Sequence, residues 1–73
     1  MRTFSMVRSE DVTGFSGTGI VADGVEFDDG TTVIRWRGDH KSTVVWDSME
    51  SAIRVHGHDG RTVFEFHTII TDV

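Results

Sequence analysis

Thr18-Gly19-Ile20-Val21-Ala22-Asp23-Gly24-Val25-Glu26-Phe27, then Asp28-Asp29-Gly30, then Thr31-Thr32-Val33-Ile34-Arg35-Trp36, form the stretch that decides the fold. After the polar connection Gly38-Asp39-His40-Lys41-Ser42 it ends in Thr43-Val44-Val45-Trp46. Side chains alternate between faces along a strand, so Val21, Val25 and Phe27 are expected on one side, with Ile20 and Ala22 on the other. Beyond the turn, Ile34 and Trp36 share a face, and Val33, Arg35 and Arg37 share the opposite one. The run Thr31 to Ile34 is rich in β-branched residues, which suit a pleated, half-buried surface. Asp-Gly between two such runs is a strong hairpin signal. With Asp28 it allows a three-residue loop whose Gly30 adopts the left-handed conformation that only glycine enters without a steric penalty. The expected product is a three-stranded meander, with Trp36 and Trp46 as large anchors of its core.

Working outward, Thr3 to Arg8 reads as a first strand with Phe4 and Met6 on one side. Val12 to Gly19 holds three glycines in eight residues. Their spacing fits neither the dinucleotide fingerprint nor a P-loop, and no helix begins after them to offer its N-terminus to a phosphate. This segment is therefore read as a loop, with Phe15 turned back onto the core. Asp47-Ser48-Met49-Glu50 has capping-box spacing, with Asp47 as N-cap. Met49, Ala52, Ile53 and His56 then fall on one face of a two-turn helix that Gly57 ends as its C′ residue. Arg61 to Phe66 is the last strand, with Thr62, Phe64 and Phe66 on one face. The tail from His67 through Ile69 and Ile70 could extend it or pair with a second subunit.

The chain is thus expected to be mainly β. Strand, long loop, meander, short helix and strand is the order of a small five-stranded antiparallel barrel of the Src-homology-3-like type. There one short helix before the last strand lets that strand cross to pair with the first. The alternative is an open antiparallel sheet with the helix on one face. Residues 1–73 fit a single domain.

Composition narrows the function. A core of this size supplies roughly 3–5 kcal/mol, and small domains usually add a staple. Cysteine is absent, so disulfides and thiolate zinc sites are excluded, and a homo-oligomer is the expected device. A net charge of −5 argues against general nucleic-acid binding, which displaces counterions from a positive surface. No apolar run has the length of a membrane span or signal peptide, so a soluble, cytoplasmic protein is expected.

Candidate chemistry is sparse. Glu10/Asp11 and Asp28/Asp29 sit in turns, where acidic residues serve turn geometry. Gly14-Phe15-Ser16-Gly17 is not a nucleophile elbow, because its second glycine follows Ser16 directly and not after one further residue. No nucleophile, base and orienting group can be assembled, so the protein is read as not an enzyme and as needing no cofactor. Arg35, Arg37 and Lys41 beside Trp36 could form a nucleotide or nucleic-acid edge. Strand arginines paired across the sheet with Glu26 or Glu65 are the competing explanation. His56-Gly57-His58, with another histidine, is the alternative metal site, although the local ligand count is short. Arg35, Trp36, Arg37, Lys41, His56 and His58 are accordingly the candidate binding residues, and a protein partner, such as a host protein, is expected.

Several segments carry a resemblance. Gly17 to Phe27, Asp29-Gly30-Thr31, Thr43 to Glu50 and His56-Gly57-His58-Asp59-Gly60 resemble a family of small uncharacterised proteins typical of actinobacteria and their phages. The resemblance spans roughly residues 8 to 66. It implies an accessory, non-virion role and transfers no activity.

Overall fold

A computed structural model describes residues 1–8, 19–57 and 60–67. Five strands and one helix follow in the order β1 (Arg2–Arg8), β2 (Gly19–Glu26), β3 (Thr32–Trp36), β4 (Thr43–Trp46), α1 (Met49–His56) and β5 (Thr62–Phe66). All pairings are antiparallel, and the sheet order is β4-β3-β2-β1-β5. The mainly β class, the single short helix before the last strand and the pairing of that strand with the first are as the sequence implies. The sheet is not closed: among the described residues no ladder joins β4 to β5, so the fold is barrel-like with two open edges.

The first turn forms as its residues dictate. The Phe27 amide donates to the Thr31 carbonyl at 2.8 Å, and the Gly30 amide donates to the Phe27 carbonyl at 2.9 Å. Gly30 takes φ 96°, which a Cβ would strain. Asp29 Oδ1 accepts from the Thr31 amide at 2.9 Å. That bond, with a further one to the Thr31 side chain, holds the Asp29 carboxyl below the usual carboxylate range.

The core lies on one face of the sheet. Phe4, Met6, Val21, Ala22 and Ile34 are buried there, with Met49 and Ala52 of α1 packed over them. Burying each of Phe4, Met6 and Ile34 contributes on the order of 2 kcal/mol. Trp36, Trp46 and Phe64 are half-buried and pack against this cluster. The tryptophans therefore flank the core and do not occupy its centre, because β3 and β4 lie toward an open edge.

Val21 departs from simple alternation. Met6 faces Ala22 and Val7 faces Ile20, so Val21 is an extra residue, a β-bulge. The bulge turns Val21 inward beside Ala22, leaving Val25 half-buried on the outer face and Phe27 exposed at the turn.

The helix differs from expectation at its start. Ser48, not Asp47, is the N-cap: it has extended backbone, and its Oγ accepts from the Ser51 amide at 3.1 Å. Both residues are good caps, and the one whose oxygen reaches the third amide onward is used. Gly57 ends the helix as its C-cap, with right-handed backbone at φ −73°. Its amide donates to the Ile53 carbonyl at 2.8 Å, and a Cβ there would lie 2.6 Å from that same oxygen. The left-handed glycine comes later, at Gly60 with φ 90°. The predicted loop from Val12 through Thr18, with Phe15, and the tail beyond His67 lie outside the described residues.

Candidate binding surface

The two faces of the sheet present different chemistry. On the inner face, Phe4, Met6 and Arg8 share one side of β1 by alternation. Arg8, the last residue of β1, stands opposite Gly19 and Thr62 and is 1% exposed. Its Nε donates to Thr62 Oγ1 at 2.9 Å, and its guanidinium carbon lies 5.7 Å from the centre of the Trp36 ring. The His56 ring meets Trp36 edge-on at 5.2 Å and Trp46 at 5.5 Å. Arg8, Trp36, His56 and Trp46 thus form one continuous polar–aromatic cluster under the last turn of α1.

On the outer face, residues opposite one another in the ladders form rows across the sheet. One row runs Val45–Val33–Val25–Thr3. Val33 and Val25 are half-buried, and Val45 is 64% exposed. The neighbouring row runs Thr43–Arg35–Asp23–Ser5–Glu65. His67 closes one corner: its Nδ1 and Nε2 lie 2.8 Å from Thr3 Oγ1 and Ser5 Oγ. Val63, on the same face of β5, is 51% exposed. Among the described residues no helix or strand covers this face.

The basic residues singled out in the sequence are each engaged within the chain. Arg37 grips Asp23 with two parallel bonds of 2.8 and 2.9 Å. The bond from Arg37 is the main reason the Asp23 carboxyl is held below its ordinary value, outweighing partial burial, and the pair raises Arg37 in turn. Arg35 donates to Thr43 Oγ1 at 2.9 Å, and Lys41 donates to the Gly38 carbonyl at 3.1 Å. Glu26 pairs with Arg2 instead of a β3 arginine. Trp36 and His56 are brought together, on the face opposite Arg35. His58 lies outside the described residues. Among the described residues no group of three His, Asp or Glu side chains comes together to hold a metal ion. No described helix is long and apolar enough to cross a membrane. A shallow open cleft of about 350 Å³ lies at the turn end of the sheet, between Arg2, Glu26 and Phe27.

Arg8 and the outer valines were not among the candidates drawn from the sequence. The signal for Arg8 was present, since Phe4-x-Met6-x-Arg8 places it on the core face. A basic residue before a polar turn is ordinarily read as solvated, and that habit hid it.

The pattern that defines the Acb5 phage protein family matches residues 1–68. This chain belongs to the Acb5 phage protein family. Comparison with curated proteins and with solved structures gave no match. Membership makes it a phage protein, in keeping with an accessory role.

Proposed function

We propose that this Acb5 family member is a non-enzymatic binding module that acts through protein–protein contacts as a homo-oligomer in the cytoplasm of the infected cell. The observation that carries this reading is the outer sheet face, where Val25, Val33 and Val45 line up across three strands with no layer over them among the described residues. A sheet normally buries one face and keeps the other polar, and a row of valines on the second face is apolar surface suited to contact. A cysteine-free chain of this size gains stability by covering such a face with a second copy. The two flanks of α1, with Ile53 44% exposed on one side of the buried Met49–Ala52 stripe and Val55 51% exposed on the other, supply further apolar surface for a partner protein. For a phage-encoded module that partner is a host protein. The sequence resemblance supports an actinobacterial host.

The test is capture from host lysate on the immobilised protein, followed by reconstitution with the captured species purified. A defined 1:1 or higher-order complex, lost in Ile53→Asp/Val55→Asp with the circular dichroism unchanged, is expected. Failure to reconstitute any complex at low and moderate salt would refute the host-protein reading.

A further inference from the structure

The cluster at the end of β1 contains more hydrogen-bond donors than acceptors. Arg8 is almost wholly buried, yet its Nη1 finds no hydrogen-bond partner among the described residues. The indole N–H of Trp46, also buried, likewise finds none among them. Trp46 joins Arg8 through the contiguous rings of His56 and Trp36. Among the described residues, Nε of this guanidinium donates to the neutral hydroxyl of Thr62. Buried polar groups are almost always paired, and an unpaired donor on a charged group costs more than one on a neutral group. Trp36 lies near the guanidinium, but at 5.7 Å its ring face offers only a weak cation–π contact and no strong acceptor for Nη1.

We infer that Arg8 anchors a binding site for a small oxyanion of the phosphate class. Guanidinium forks match tetrahedral phosphate oxygens in geometry and charge, and a phosphate offers further acceptors to an indole N–H. Arg8 sits where β1 ends, opposite Gly19, which has no side chain, and Thr62, whose hydroxyl fixes Nε and leaves Nη1 to the ligand. The site is distinct from the Arg35/Arg37/Lys41 group, whose cations are already engaged on other elements. It goes beyond the protein-contact reading and does not depend on it.

Trp36 and Trp46 are the chain's only tryptophans, so intrinsic fluorescence reports on this cluster directly. The experiment titrates inorganic phosphate into the full chain at constant ionic strength, with chloride as control, and reads both fluorescence and the thermal midpoint. A saturable, phosphate-specific change and a midpoint that rises with phosphate concentration are expected. Arg8→Met should abolish both, and Arg8→Lys should weaken the affinity by about tenfold or more, because it keeps the charge and loses the fork. A second arm neutralises the next acidic residues, Glu10→Gln with Asp11→Asn, and should leave phosphate binding intact. No saturable response in the native chain would overturn the assignment. So would an undiminished response in Arg8→Lys, or loss of stability in the double variant equal to that of Arg8→Met, which would make the chain's own carboxylates the counter-charge. Should Arg8→Met not fold, the native chain, Arg8→Lys and the double variant decide the matter.

Discussion

Gly24 is the residue whose replacement tests the core most sharply. The ring of Phe4, its partner across the β1–β2 ladder, lies over it, and a Cβ at Gly24 would fall 2.1 Å from Phe4 Cζ. A strand glycine often marks such a close approach. Gly24→Ala must push Phe4 off the core, and overpacking of this kind costs about 1–3 kcal/mol. A drop in urea midpoint with an unchanged slope is the expected outcome. Asp23 and Asp29 make a second residue-scale prediction. Both carboxyls are held below their ordinary values in the folded chain, Asp23 chiefly by Arg37 and Asp29 chiefly by the Thr31 amide. A depressed folded value adds stability that is complete above the unfolded pKa of about 4 and is lost as pH falls through the folded value. Stability should therefore fall below about pH 4, and Asp23→Asn with Asp29→Asn should flatten that limb. The Asp23–Arg37 pair is about half exposed, so its share is small and should shrink further with added salt.

At the scale of elements, helix α1 separates two caps that the sequence offers side by side. Ser48→Ala should destabilise by about 1 kcal/mol, since it removes the acceptor for the Ser51 amide. Asp47→Ala should cost distinctly less, and paired thermal melts would show the order. The choice between these neighbours was not legible, because both have capping chemistry and the deciding factor is where the chain leaves β4. The Asp28-Asp29-Gly30 hairpin was legible, because all its determinants lie within five residues, from Phe27 to Thr31. The bulge at Val21 was not. It exists in the register between β1 and β2, which alternation along one strand cannot reveal. It moved Val21 from the outer face to the core and left Val25 to line up with Val33 and Val45.

For the whole molecule, strand order follows from local signals, while closure does not. The final strand reaches the first because α1 turns the chain between them, and that order is written in the sequence. Whether β4 meets β5 depends on the summed twist of every ladder, and the two edges stay apart. The open sheet leaves two distinct surfaces: an inner edge where Arg8, Trp36, His56 and Trp46 gather, and an outer face carrying the valine row. The basic residues visible in the sequence were distributed by the fold into separate pairs, Arg37 with Asp23 and Arg35 with Thr43. The outer face carries the central claim, that this phage protein works by protein contacts as an assembly of identical chains. Light-scattering mass across a concentration series tests it most directly, on the native chain and on Val33→Asp/Val45→Glu. The account predicts a stable multiple of the single-chain mass for the native protein and collapse to one chain in the variant with its secondary structure retained. A single-chain mass for the native protein at every concentration would contradict it.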